Sequence, residues 1–159
     1  MTNIDINELA DRYLAMWNEP DPEPRRKLVR ELWAEDGAQI LVDPPEDMRN
    51  AATRLNFPIP PLEVRGHVAL ERRVERAYEM FVGPGEHRFV QRGEATLLLK
   101  QVVACTWSMV TQDGTVVGGG MDVLALDEAG RIRTDHQHIG VEKGPELASG
   151  CTRRGSCRA

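Results

Sequence analysis

The sequence predicts an α+β fold in which three helices, mostly in the N-terminal half, wrap a curved, mostly antiparallel sheet. Three segments before residue 83 repeat apolar residues at helical spacing, whereas from residue 86 onward the pattern has a period near two. Turn signals at residues 112–114 (QDG) and 127–130 (DEAG) divide this second part into strands. We therefore expect helices first and an antiparallel meander afterwards, with one strand between the second and third helices.

The composition is that of a globular protein. The chain has 159 residues, of which 41% are hydrophobic and 28% charged, so it can bury a core without disulfides or a metal. Its net charge of −5 gives no basic surface for nucleic acid or an acidic membrane. It has neither a secretory signal pattern nor an apolar run near the roughly 20 residues that a membrane span needs. We expect one cytoplasmic domain over residues 1–143, a disordered tail at 144–159, and no nucleic-acid or membrane partner.

The three helices are expected at residues 5–18, from about 22 to 36, and 66–82. Asp5 can cap the first, and Glu8 completes a capping-box pattern. The charged face of the third helix, which includes Arg73, is most simply a solvated surface. Between the second and third helices we expect a strand at residues 38–43. A proline-rich loop with a helical turn around residues 48–55 follows it, and this loop is either a lid or a mobile surface segment.

Four strands are expected after the third helix, at residues 87–94, 102–111, 115–126 and 131–140. Residues 118–120 are three glycines inside the third of these, which favours a bulge or bend that curves the sheet around a cavity. Cys105 reads as a small buried hydrophobe. Cys151 and Cys157 lie in the tail, where a disulfide is possible but free thiols are expected in a reducing cytosol.

Four stretches carry a family resemblance: RYLAMWN, LWAEDGAQILVDP, VRGHVALERRV and MDVLALDEAGRIRTDHQHI. In their order and spacing they resemble the SnoaL-like branch of the nuclear transport factor 2-like superfamily. The resemblance implies a cone, formed by a bent sheet wrapped by helices, with a pocket inside. It leaves the function open, because this superfamily includes both enzymes and binding domains without chemistry.

Three residues resemble the site of ketosteroid isomerases within that superfamily. Tyr13 lies on the first helix, Asp43 precedes a proline at the end of the first strand, and Asp122 lies on the strand before the last hairpin. The resemblance implies that Asp43 is a general base and that Tyr13 and a protonated Asp122 donate hydrogen bonds to an oxyanion. Taken singly, each could equally be structural: a core aromatic, a strand end, and an outward or backbone-bonded carboxylate.

The last strand carries a second constellation. His136 and His138 share one face there, and Asp135 and Gln137 share the other. The histidines could line the pocket as acid or base, because histidine titrates near neutral pH. The pair also suits a metal, but without a third ligand at a telling spacing we expect no metal and no cofactor.

Two functions follow from this reading. The first is a cofactor-free acid–base enzyme of the isomerase, cyclase or dehydratase type, acting on a small apolar carbonyl compound with Asp43, Tyr13, Asp122 and His136 as catalytic residues. The second is a ligand-binding or dimerisation domain without chemistry. The residues expected to contact the ligand are Trp17, Phe57, Trp107, Met121 and His138. In both cases we expect a homodimer through the open sheet face.

Overall fold

Seven strands form a single sheet in the computed structural model, which describes residues 4–42, 44–54 and 62–140. The described helices are α1 (Ile6–Asn18), α2 (Pro22–Leu32), α3 (Glu46–Arg54) and α4 (His67–Ala77), the last continued by a π-helical turn (Tyr78–Val82). The strands are β1 (Trp33–Leu41), β2 (Leu62–Arg65), β3 (His87–Gln91), β4 (Thr96–Leu99), β5 (Val102–Thr111), β6 (Val116–Leu126) and β7 (Ile132–Ile139). The predicted α+β class is confirmed.

The order of strands across the sheet is β2-β1-β7-β6-β5-β3, and β4 also pairs with β5. Every pair is antiparallel except β1 with β7, which run parallel. The meander over β5, β6 and β7 is as expected. The parallel pair was not expected, and it brings the first long strand of the chain beside the last one.

The N-terminal helices begin where their capping residues predict. Asp5 Oδ1 accepts hydrogen bonds from the backbone amides of Asn7 and Glu8 at 3.0 and 3.1 Å, so α1 is capped as the sequence indicates. The end of α2 was predicted wrongly, because the helix stops at Leu32 rather than near residue 36. Trp33 is fully buried and already paired with Ile132 of β7, so burial in the sheet overrides the helical pattern here.

The segment between β1 and α4 holds more regular structure than expected. The predicted helical turn is the nine-residue helix α3, and β2 was missed, as was β4 later in the chain. Both missed strands have only four residues and lie outside the long alternating segments. The third predicted helix is α4 plus the π-helical turn, in which the amide of Gly83 donates to the carbonyl of Tyr78 at 2.7 Å.

The core lies between the helices and the inner face of the sheet. Alternation along β5, β6 and β7 places Cys105, Asp122 and Gln137 on this inner face, in one cross-strand row. Cys105 is buried, as predicted. The predicted irregularity at the glycines is present, since the β5–β6 register shifts next to Gly118. The inner face of the strands therefore presents polar as well as apolar side chains to the helices.

The predictions for the tail and for its two cysteines fall outside the described residues. No helix in residues 4–42, 44–54 or 62–140 is long and apolar enough to cross a membrane. Within the same ranges, no group of three or more His, Cys, Asp or Glu side chains is arranged to hold a metal ion.

Candidate functional site

A cavity of about 210 Å³ lies between the inner face of the sheet and helices α1 and α4. Its walls are mainly aromatic and sulfur-containing side chains, including Trp17, Met80, Phe81, Phe89, Trp107 and Met109. Phe89 packs edge-on against both Phe81 and Trp107, with ring centroids 6.3 and 5.4 Å apart. These rings give the cavity a rigid apolar wall suited to a small, mostly apolar molecule.

One end of the cavity is polar. Tyr13 of α1, Arg73 of α4 and Gln137 of β7 line it together. Arg73 is the single charged side chain among the described residues that line the cavity. Its guanidinium lies 5.7 Å from the centroid of the Trp17 ring, so an aromatic face supports it from one side.

Two glutamines accept hydrogen bonds from Arg73, and one of them also binds the buried carboxylate of Asp135. Arg73 Nε donates to Gln39 Oε1 at 3.2 Å, and Arg73 Nη2 donates to Gln137 Oε1 at 3.3 Å. Gln39 Nε2 in turn donates to Asp135 Oδ2 at 3.0 Å. The Tyr13 hydroxyl donates to the same oxygen at 2.6 Å. Asp135 therefore holds Tyr13 at the polar end of the cavity and Gln39 behind it.

Asp122 lies next to Asp135 and is fully buried. Its Oδ2 accepts from the indole Nε1 of Trp107 at 2.6 Å. Oδ1 of Asp122 and Oδ1 of Asp135 have no donor among the described residues, although both are buried. A proton shared between the two carboxyl groups would satisfy both oxygens at once. We therefore read them as a pair in which Asp122 is the acid and Asp135 the acceptor.

Electrostatics agrees with this assignment. Burial raises the pKa of Asp122 well above its ordinary value, and the charge of Asp135 and a hydrogen bond to Asp135 raise it further. Burial also raises the pKa of Asp135, while hydrogen bonds from Tyr13, Gln39 and Asp122 lower it. The two groups titrate as a pair. Burial, and then the charges of Asp122 and Asp135, also raise the pKa of Tyr13, which keeps its proton.

The structure brings together part of the site predicted from the sequence. Tyr13, Trp17 and Trp107 line the cavity. Asp122 does not line it, but it is hydrogen-bonded to Trp107, which does. Asp43, the expected base, and Phe57, an expected ligand contact, lie outside the described residues.

Three predicted site residues lie on the outer face of the sheet. Asp135 and Gln137 occupy the inner face of β7, so His136 and His138 between and after them point outward. His136 is exposed, and neither histidine lines the cavity. Met121 pairs with His138 on that outer face. None of His136, His138 and Met121, which were predicted to act in or contact the pocket, lines this cavity.

Four residues of the polar network were missed: Gln39, Arg73, Asp135 and Gln137. Gln39 is a polar residue inside an apolar strand, and that pattern could have marked it. Asp135 and Gln137 were recognised as one face of β7, but the alternation alone does not say which face is inside. Arg73 carried no signal, because a charged residue beside Arg72 on a helix usually faces solvent.

Solved structures resemble this chain over most of its length. One is a protein from Agrobacterium tumefaciens assigned provisionally as an isomerase of the SnoaL-like family. It is 30% identical, with a TM-score of 0.65, and the match covers 83% of this chain and 94% of that one. A scan against protein-family models and a search of curated proteins gave no match.

Two further structures are similar in fold. A SnoaL-like protein of unknown function from Burkholderia thailandensis is 14% identical with a TM-score of 0.60, over 87% of this chain and 98% of that one. A protein from a Jannaschia species, assigned provisionally as a SnoaL-like polyketide cyclase, is 12% identical with a TM-score of 0.55, over 87% and 90%. With the identity and coverage of the Agrobacterium protein, these likenesses lead to one conclusion: the chain belongs to the SnoaL-like family, within the nuclear transport factor 2-like superfamily.

Proposed function

We propose that the protein is a cofactor-free acid–base enzyme of the isomerase or cyclase type, which acts on a small apolar carbonyl compound bound in the cavity. The observation that carries this proposal is the cavity itself, an apolar chamber that ends in Tyr13, Arg73 and Gln137 with a buried carboxyl pair behind them. The provisional assignment of the Agrobacterium protein as an isomerase is consistent with this reaction type.

Arg73 is placed to stabilise charge on the substrate. When a proton leaves a carbon next to a carbonyl group, negative charge develops on the carbonyl oxygen. An oxygen at the polar end of the cavity would accept hydrogen bonds from the guanidinium, which two glutamines and the ring of Trp17 already hold. A preorganised cation in a water-poor site lowers the barrier, because little has to reorganise as the charge forms.

Tyr13 can exchange a proton with the substrate. Tyr13 lines the cavity and its hydroxyl donates to Asp135, and in this proposal Asp135 shares a proton with Asp122. If Tyr13 gives its proton to a substrate atom, the carboxyl pair can supply another along the same hydrogen bonds. Asp43 completes the proposal as the base that removes the first proton, as the resemblance to ketosteroid isomerases implies.

Deuterium exchange tests this proposal without knowledge of the natural substrate. Apolar cyclic and aryl ketones are incubated with the protein in D₂O, and NMR follows the loss of protons next to the carbonyl group. D43N should abolish the exchange, and Y13F should slow it by about a hundredfold or more, the usual contribution of a general acid or base. D47N, which changes an exposed carboxylate of α3, is the control and should exchange at the normal rate.

The second candidate function is ligand binding without chemistry. Two observations favour it: no carboxylate lines the cavity among the described residues, and the Tyr13 proton is already bonded to Asp135. In that case ketones would quench the fluorescence of Trp17 and Trp107 but would show no exchange above the rate without protein. Equal exchange by D43N and the unmodified chain would remove Asp43 from the proposal.

A further inference from the structure

We infer that the ligand of this cavity carries a carboxylate group, which pairs with Arg73 while the apolar remainder of the ligand packs against the aromatic wall. The inference rests on the proposed function only in placing the ligand in the same cavity. It names a substrate class, namely small apolar monocarboxylates, such as carbonyl compounds that also bear an acid group.

The first argument is that Arg73 has no acidic partner. No described Asp or Glu forms an ion pair with it, whereas Arg12 and Arg30 each contact a glutamate at 2.7 Å. Arg73 is also less exposed than Arg30, and it lines a cavity. A cation removed from water is costly unless it is paired, so this position favours an anion from outside the chain.

The second argument concerns the hydrogen-bond donors of Arg73. A guanidinium has five N–H groups, and here one from Nε and one from Nη2 go to neutral glutamine oxygens. The two glutamines fix the plane of the fork and leave the Nη1 amino group and one Nη2 hydrogen without a partner in the described part of the chain. Two neighbouring donors in one plane match the two oxygens of a carboxylate.

Arg25 shows what a structural arginine looks like in this fold. Its Nε and Nη2 donate to the main-chain carbonyls of Glu19 and Pro20, and its guanidinium lies 4.2 Å from the centroid of the Tyr78 ring. It is almost completely buried and does not line the cavity. Arg73 donates from the same two nitrogens, but to glutamine side chains, and unlike Arg25 it lines the cavity.

The rest of the lining limits the anion to a single charge. Arg73 is the only cation among the described lining residues, so a phosphate dianion would carry more charge than the cavity offsets. A neutral ketone would leave the cation unpaired. Burial lowers the pKa of Arg73, against the raising effect of Tyr13, Asp135 and Asp122, which agrees with a positive charge that the protein compensates only in part.

A matched ligand series tests the inference by binding alone. The probes are 3-phenylpropanoate, its neutral analogue 4-phenylbutan-2-one and 2-phenylethyl phosphate, each followed by quenching of the cavity tryptophans. The carboxylate should bind about tenfold or more tightly than the ketone, as expected for a charge-assisted pair. R73M should reduce this ratio to about one, whereas R76M, on an exposed position of the same helix, should keep it. A ratio near one in the unmodified protein, an unchanged ratio in R73M, or tightest binding of the phosphate would overturn the inference.

A second measurement needs no variant, in case R73M does not fold. The affinity of the unmodified protein for 3-phenylpropanoate should fall as the pH drops below about 5, where the ligand carboxylate becomes protonated, while that for the ketone should not follow it. Parallel pH profiles would contradict the inference. A preference for the carboxylate together with no deuterium exchange on any ketone would keep the inference and reject the enzyme. Deuterium exchange without a preference for the carboxylate would reject the inference and keep the enzyme.

Discussion

Asp122 and Asp135 are the same type of residue, but their hydrogen bonds give them different roles. Asp135 Oδ2 accepts from both Tyr13 and Gln39, whereas Asp122 Oδ2 accepts from Trp107 and, in the pair inferred above, Asp122 carries the proton that faces Asp135. An asparagine at position 122 can donate from its amide to Asp135, whereas at position 135 its oxygen can accept from Tyr13 and Gln39 but its amide faces the proton of Asp122.

The two asparagine substitutions should therefore differ. We expect D122N to unfold at nearly the same urea concentration as the unmodified chain, since its amide donates to Asp135 and its carbonyl accepts from Trp107. D135N should lose about 1–3 kcal/mol, because its amide takes the place of Oδ1 and meets the proton of Asp122, so two donors face each other in a buried site. Urea unfolding at neutral pH measures both, and equal losses would contradict the assignment of the proton to Asp122.

Stability should also depend on pH through this pair. Both pKa values are raised above 3.8 on folding, so the folded chain binds more protons than the unfolded chain above about pH 4. The contribution of the pair to the free energy of unfolding is therefore fully present at low pH. It is lost as the pH rises through the two raised pKa values. The unfolding free energy of D122N should fall less steeply with pH than that of the unmodified chain, and parallel curves would exclude a shared proton.

The residues of this site were only partly predictable. Tyr13 and Asp122 could be named because they match a family pattern, and Trp17 because it shares an apolar helical stripe. Arg73 could not, since its polar environment is created by Gln39 and Gln137, which come from strands 34 and 64 residues away. A single sequence shows the composition of each element but not what faces it across the core.

At the scale of elements, the glycines of β6 make room for Trp107. A Cβ on Gly120 would lie 2.6 Å from Trp107 Cζ2 and 2.6 Å from the carbonyl oxygen of His138. A Cβ on Gly118 would meet Met109 Cε at 3.5 Å, an ordinary contact. The glycine at position 120 thus lets the indole lie flat against the strand, where its N–H reaches Asp122.

Alanine substitutions separate these two glycines. G120A should displace the Trp107 ring, break its hydrogen bond to Asp122 and lower stability by about 1–3 kcal/mol, typical of overpacking in a core. G118A should unfold within about 1 kcal/mol of the unmodified chain. Thermal unfolding measures the difference in stability, and the tryptophan emission spectrum reports whether the Trp107 ring is displaced. A normal spectrum in G120A would show that the indole does not depend on the glycine.

The π-helical turn is another element that the sequence did not reveal. The periodicity predicts one continuous helix to residue 82, and the chain indeed stays helical, but its last turn widens after Ala77. Met80 and Phe81 of this turn line the cavity. Wide turns arise from local packing rather than from residue type, so apolar spacing alone could not distinguish this one from an α-helical turn.

For the whole molecule, the order of elements was predictable and the topology was not. Three helical stripes followed by a meander are local signals, and the structure confirms them. The parallel pairing of β1 with β7 joins distant segments without a turn between them, and so leaves no mark in the sequence. This pairing places Gln39 beside Asp135, and with it half of the polar network.

A homodimer through the outer face of the sheet stays a prediction. Ile40, Met121 and Val123 lie on that face and are half-buried in the single chain, which leaves apolar surface for a partner to cover. Light scattering at micromolar concentration should give twice the chain mass, and V123E should give the single mass. V68E, on a 60% exposed position of α4, is the control and should remain dimeric. A monomeric unmodified chain would reject the prediction.

The parallel pair has a consequence for the time at which the cavity becomes complete. Tyr13 and Asp135 are 122 residues apart, and Gln39 and Asp135 are 96 apart, so these hydrogen bonds close some of the longest loops in the chain. Loops of this length close late, after local helices and hairpins have formed. On the ribosome, the polar end of the cavity cannot assemble until β7 has left the exit tunnel. A nascent chain that lacks β7 would present Arg73 and the aromatic wall without the strand that completes them.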